Sequence, residues 1–61
     1  MKLRKGDLIR VHMSSESREG MITELDFKNG MRVYSYGDWW CYREQVNEVF
    51  RNGEWIKFKK G

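Results

Sequence analysis

Two Asn-Gly pairs constrain the folding of this chain more than any other feature. Asn29-Gly30 and Asn52-Gly53 each stand between short segments rich in strand-forming residues. Both residues of such a pair tolerate the positive φ of a type I′ turn, which makes Asn-Gly the strongest short-range signal of a β-hairpin. Gly37-Asp38 is a third candidate for a tight turn. The sequence therefore predicts three hairpins and an all-β fold.

The first half of the chain contains two predicted strands. Leu8 to Met13 alternates apolar and polar residues, as in a strand that is buried on one face. Residues 14–19 are polar and predict a mobile loop, after which a second strand runs from about Met21 to Lys28. The alternation of this strand fails near Thr23 and Glu24, which predicts a β-bulge there.

The second half of the chain supplies the remaining strands. They are predicted at 31–36, 39–42, 48–50 and 55–58. Residues 43–47 are compatible with helix but too few for an independent one, so we expect a single 3₁₀ or α turn with Val46 pointing inward. Closure into a small barrel would hide the edges of so many short strands. The prediction is a single all-β domain over residues 1–61, a small barrel of five to six antiparallel strands.

Size and composition limit the function classes. A chain of 61 residues buries only about 60% of its unfolded surface, but an aromatic content of 15% supplies large side chains for a core. The single Cys41 forms no internal disulfide, which favours a reducing, cytoplasmic compartment. Apolar runs are too short for a signal peptide or a membrane span. We expect no membrane association.

A family resemblance enters at Lys5 to Val11, Gly20 to Leu25 and Met31 to Val33. This pattern of glycines and apolar residues resembles SH3-like barrels of the KOW, Tudor and Mind-bomb/HERC2 type. Residues 39–49 look like the fourth strand, helical turn and fifth strand of those barrels. The resemblance implies a noncatalytic module that binds nucleic acid or protein, and free-standing barrels of this size also resemble phage or prophage proteins. The last hairpin extends past the minimal barrel, so its final strand either pairs beside the first or protrudes.

An aromatic cluster over residues 34–42 is the first candidate site. A turn centred on residues 36–37 places Tyr34 opposite Trp39, whereas a turn centred on 37–38 places Tyr36 there. Neighbours in a strand point to opposite faces, so we expect one of Trp39 and Trp40 in the core and the other exposed. An exposed Trp beside a Tyr forms a stacking platform for bases. Cross-strand aromatic pairs that only stabilise the sheet are the alternative, and an aromatic cage completed by Asp38 is a more remote one.

Basic residues at the two chain ends are the second candidate site. Half of the twelve Lys and Arg residues lie there, namely Lys2, Arg4, Lys5, Lys57, Lys59 and Lys60. If the terminal strands pair, these charges form one patch that contacts phosphates in a salt-dependent way. The alternative is that the lysines keep the chain soluble and protect a strand edge.

The chain lacks the side-chain combinations that catalysis or metal binding requires. His12 has no Cys, second His or carboxylate pair at ligand spacing, and we expect it to point outward from a strand. Cys41 has no sequence neighbour that would lower its pKa, which predicts a small core residue. We expect no catalytic site, metal or cofactor.

The sequence thus predicts a noncatalytic binding module with no small-molecule substrate. The first hypothesis is nucleic-acid binding, with stacking or packing by Trp39, Tyr34 and Tyr36. The residues predicted to contact phosphates are Arg10, Arg32, Lys57 and Lys59. The alternative is a protein-interaction module, such as a phage-encoded modulator of a host protein, with the same exposed aromatics as its anchor.

Overall fold

The computed structural model describes residues 2–58. These residues form six antiparallel strands and one 3₁₀ turn. In chain order the elements are β1 (Leu8–His12), β2 (Ser17–Lys28), β3 (Met31–Tyr36), β4 (Trp39–Tyr42), the 3₁₀ turn (Arg43–Gln45), β5 (Val46–Arg51) and β6 (Glu54–Lys57). The all-β prediction, with six antiparallel strands and one short helical turn, is confirmed.

The three predicted tight turns form where the glycines stand. Asn29 and Gly30 have φ of 53° and 76°, and Asn52 and Gly53 have φ of 53° and 81°, as a type I′ turn requires. In the third hairpin Tyr36 pairs with Trp39, so the turn is centred on residues 37–38. Of the two registers left open by the sequence, the structure contains the second.

Strand β2 is longer than predicted and belongs to both halves of the sheet. It begins at Ser17, inside the segment predicted to be a loop, because residues 17–21 pair with β1. The outer face of the β1–β2 pair is in contact with solvent, and a salt bridge of 2.8 Å between Arg10 and Glu19 joins the two strands there. The predicted bulge is confirmed, since the register with β3 shifts between Ile22 and Glu24.

The sheet has the strand order β4-β3-β2-β1-β5-β6. Its two edges, β4 and β6, do not pair with each other within residues 2–58, so the predicted closure into a barrel is not confirmed. The final strand β6 pairs with β5, and β5 separates it from β1. The terminal strands therefore do not lie side by side as the predicted basic patch required.

The core lies on one face of this bent sheet. Its buried side chains are Leu3, Ile9, Val11, Ile22, Tyr34, Tyr36, Cys41, Val46, Val49 and Phe58. Val46 follows the 3₁₀ turn and points inward as predicted. The turn itself is held by Gln45, whose side-chain oxygen accepts a hydrogen bond of 2.9 Å from the Tyr42 backbone N–H.

Candidate basic cleft

The N-terminal segment is fixed against the sheet by one carboxylate. Oδ2 of Asp7 accepts a hydrogen bond of 2.8 Å from the Arg4 backbone N–H. Nη2 of Arg51 donates to the same oxygen at 2.7 Å and to the Lys2 carbonyl at 2.6 Å. The side chain of Leu3 enters the core. These contacts hold the exposed side chains of Lys2 and Arg4 at a defined place on the surface.

The ionisation of Asp7 reflects the same contacts. Partial burial alone would raise the pKa of this carboxyl, but the Arg51 side chain and the Arg4 N–H stabilise the carboxylate more strongly. The pKa of Asp7 is therefore lowered from its ordinary value. The carboxylate that anchors the segment is charged at neutral pH.

A cleft of about 570 Å³ opens beside this segment. It is lined by Lys2, Leu3, Arg4, Leu25, Arg32, Tyr34 and Arg43. Four of these residues are basic and none is acidic, so the side chains that line the cleft carry a net positive charge. Apolar walls of low dielectric constant strengthen the field of these charges, because they screen charge less than water does.

The two half-buried arginines of the cleft come from one hairpin. Arg32 lies in β3 and Arg43 follows β4 directly, so both stand at the same end of the hairpin. The Arg32 guanidinium lies over the Phe27 ring, 4.6 Å from its centroid, and the Arg43 guanidinium is 5.5 Å from the centroid of Phe58. Within residues 2–58 neither forms a salt bridge, unlike Arg10, which pairs with two carboxylates. In the described part of the chain, no carboxylate therefore neutralises either guanidinium.

Tyr34 forms the floor of the cleft. Only 3% of this residue is exposed. Burial raises the pKa of its phenol, and the nearby charges of Arg43 and Arg32 offset this rise only in part. The hydroxyl therefore stays protonated at neutral pH. A phenol in this state can donate a hydrogen bond to an anion that the arginines attract.

Tyr34 and Tyr36, which the sequence interpretation expected to stack or pack on a ligand, are both buried. Tyr36 is only 1% exposed, and both rings belong to the core cluster. In a chain this short the large aromatic side chains are needed to fill the interior. Tyr34 lines the cleft, but its ring is not exposed for stacking.

The prediction that one of Trp39 and Trp40 lies in the core is wrong. Trp39 and Trp40 are 49% and 50% exposed. Strand β4 is a short edge strand, so its residues have a neighbouring strand on one side only. Each ring is instead covered by a cation, Trp39 by the Arg18 guanidinium at 3.7 Å and Trp40 by the Lys28 ammonium at 4.3 Å.

The structure brings few of the predicted phosphate contacts together. Arg32 lies in the cleft, but Trp39 and Lys57 are not among its lining residues. Arg10 forms salt bridges with Glu19 and Glu48 on the outer face of the sheet, so its charge is already paired. Lys59 is outside the described residues.

Arg43 is the basic cleft residue that the sequence interpretation missed. The signal was present in the hairpin, because a turn centred on residues 37–38 pairs Val33 with Tyr42. Continuing that register by one residue places Arg32 and Arg43 side by side. Choosing the correct turn was therefore enough to find the pair.

The remaining chemically versatile side chains have structural surroundings. His12 points outward, and its Nε2 lies 3.5 Å from a Glu48 oxygen. Cys41 is buried, and burial raises the pKa of its thiol to about 11. The prediction of a small core cysteine is confirmed. Across residues 2–58 no three His, Cys, Asp or Glu side chains gather as a metal ion would require.

Comparisons with known proteins add no assignment to this geometry. No family model, curated protein or solved structure matches the chain. Residues 2–58 contain no helix of the length and apolar character needed to cross a membrane.

Proposed function

We propose that this chain is a noncatalytic module that binds nucleic acid, with backbone phosphates seated in the basic cleft. The observation that supports this proposal is the grouping of Lys2, Arg4, Arg32 and Arg43 around one opening, where no acidic side chain is found among the lining residues in the described range 2–58. Phosphates are the most abundant anions along a nucleic-acid chain, and unpaired Lys and Arg side chains bind them. The net charge of +3 understates this local concentration of positive charge.

The geometry favours phosphate contacts over base reading. Arginine presents a planar set of donors that matches phosphate oxygens, and the Tyr34 hydroxyl adds a further donor at the floor. The exposed tryptophans lie outside the cleft, and cations already cover one side of each ring. We therefore propose binding that depends on charge more than on sequence.

The fold proposal that accompanies this function is a partly open SH3-like barrel. Three features support it, namely the consecutive order β1 to β4, the pairing of β5 with β1, and the 3₁₀ turn between β4 and β5. The sixth strand is an addition at one edge.

We propose that the protein is located in the cytoplasm, because the free Cys41 suits a reducing environment.

Fluorescence anisotropy of a labelled oligonucleotide tests the proposed function. We expect wild-type protein to bind both a single strand and its duplex at about 50 mM salt and to lose most of its affinity by about 200 mM. Arg43→Gln and Arg32→Gln should each weaken binding more than about tenfold, because a hydrogen bond to a charged group contributes about 1.5–3 kcal/mol.

The matched control is Lys28→Gln, which also removes one positive charge but lies outside the cleft, over Trp40. We expect this variant to bind within about twofold of wild type, because screening limits the effect of a distant exposed charge. Equal losses for Lys28→Gln and Arg43→Gln would show that the cleft is not the site. Absence of binding at low salt would reject the function and leave the protein-interaction module, such as a phage-encoded modulator of a host protein, as the alternative.

A further inference from the structure

The outer face of the sheet carries two rows of residues that run across four strands. Four strands, in the order β2-β1-β5-β6, place Met21, Leu8, Phe50 and Trp55 side by side. We call these four residues the apolar row. The neighbouring positions on the same strands hold Glu19, Arg10, Glu48 and Lys57, which we call the charged row.

Two of the four large residues of the apolar row are exposed, and the other two, Leu8 and Trp55, are half-buried. Met21 is 55% exposed and Phe50 is 39% exposed. Phe50 and Trp55 form an edge-to-face pair with ring centroids 5.2 Å apart, and the Arg10 guanidinium lies 4.0 Å from the Trp55 ring centroid. Contiguous apolar side chains framed by charges are typical of an interaction surface.

The charged row indicates what covers this surface. Across the sheet its charges alternate as negative, positive, negative and positive, from Glu19 to Lys57. Read in the opposite direction the same row is positive, negative, positive and negative. A second copy turned by a two-fold axis parallel to the strands, between β1 and β5, presents the row in that reversed order. Every charge then faces its opposite.

We propose that this face forms a symmetric homodimer. In that arrangement Glu19 faces Lys57 of the second copy and Arg10 faces its Glu48, each contact occurring twice, as a two-fold interface requires. The apolar rows meet in the same way, with Met21 over Trp55 and Leu8 over Phe50. The two sheets pack face to face with their strands nearly aligned, which is a common sheet-packing geometry.

The size of this outer face determines how tightly we expect the dimer to associate. Four strands span about 15 Å at about 4.8 Å per spacing, which is small for a stable interface. We therefore expect a dimer that dissociates in the micromolar range. The basic cleft does not contribute to this face, so association should not require nucleic acid.

Sedimentation equilibrium without nucleic acid tests the dimer, with charge reversals at the outer ends of the row. Glu19→Lys and Lys57→Glu should each weaken dimerisation at least about tenfold, because each places like charges opposite one another. The double variant Glu19→Lys/Lys57→Glu should return to within about threefold of wild type, because the reversed charges again face their opposites.

Rescue by the double variant is diagnostic of contact between copies. Within one chain Glu19 and Lys57 are separated by two intervening strands, about 15 Å, which is too far for a salt bridge. The matched controls are Glu24→Lys and Lys28→Glu, which reverse charges of β2 outside both rows and should leave association unchanged. Thermal melting establishes that every variant is folded.

Two results would overturn the proposal. The first is wild-type protein that stays monomeric up to millimolar concentration, which would mean that the apolar row serves another partner or none. The second is a dimer whose double variant is no stronger than the single ones, which would place the contact on another face. Phe50→Ser provides an independent check, since it should abolish the dimer without changing any charge.

Discussion

At the scale of single residues, the packing of Tyr36 against Gly20 shows how tightly the small core is filled. A Cβ placed on Gly20 would lie 3.1 Å from Cδ2 and 3.3 Å from Cβ of Tyr36. Both distances are shorter than ordinary carbon contacts, and Tyr36 is too deeply buried to move away freely. Gly20 therefore allows a close approach of Tyr36 within strand β2.

Gly20→Ala should therefore destabilise the protein although alanine suits a strand better than glycine does. We expect a loss of about 1–3 kcal/mol in the free energy of unfolding, the usual cost of forcing a methyl group into a packed core. Chemical denaturation measures this loss. In a Tyr36→Leu background the same substitution should cost less, and an equal cost in both backgrounds would contradict the proposed contact.

The same scale explains why the sequence predicted how the aromatic residues pair across strands but not which of them are buried. Alternation along β3 and β4 correctly placed Tyr36 opposite Trp39 as one of two registers. It did not reveal that the tyrosines are buried and the tryptophans exposed, because alternation shows which residues share a face but not how far the core extends. The tryptophans lie on an edge strand, where the core ends.

At the scale of elements, the N-terminal segment depends on Asp7. Its carboxylate accepts hydrogen bonds from the Arg4 N–H and from Arg51, which also binds the Lys2 carbonyl. These contacts position Lys2 and Arg4, two of the four cations of the cleft. Its folded-state pKa is lowered, so its contribution to stability is present above the unfolded-state pKa and is lost as the pH falls through the folded-state pKa.

Asp7→Asn should lower the free energy of unfolding by about 1.5–3 kcal/mol at neutral pH, the range for hydrogen bonds to charged groups. The difference from wild type should shrink as the pH drops below the ordinary carboxyl value of 3.8, because the wild-type carboxylate then becomes protonated as well. Urea denaturation at several pH values measures this. The matched control is Asp26→Asn, an exposed position that should change stability little. A difference between Asp7→Asn and wild type that does not depend on pH would contradict the role of the carboxylate.

Among the elements, turns were more predictable than strand ends. Asn-Gly pairs determine a local backbone geometry by themselves, and both formed hairpins. The start of β2 was not predictable from apolar alternation, because residues 17–19 are polar and are held by pairing with β1 and by the salt bridge of Glu19 with Arg10. That pairing is a contact between strands, which the local pattern of one segment does not contain.

At the scale of the whole molecule, the arrangement of charge depends on topology. The sequence interpretation made a single basic patch depend on pairing of the terminal strands, but β6 pairs with β5 and not with β1. The N-terminal basic residues meet Arg32 and Arg43 instead, at the end of the β3–β4 hairpin. The sequence identifies each basic residue, but which of them come together depends on how the chain folds between them.

The central claim is that phosphates bind in the basic cleft. Its most direct test is a titration of isotopically labelled protein with a short oligonucleotide, followed residue by residue in amide NMR spectra. We predict that the largest shifts occur at Leu3, Arg4, Leu25, Arg32, Tyr34 and Arg43 and disappear as salt is raised. Shifts concentrated on the outer face around Leu8 and Phe50, or no shifts at low salt, would contradict the claim.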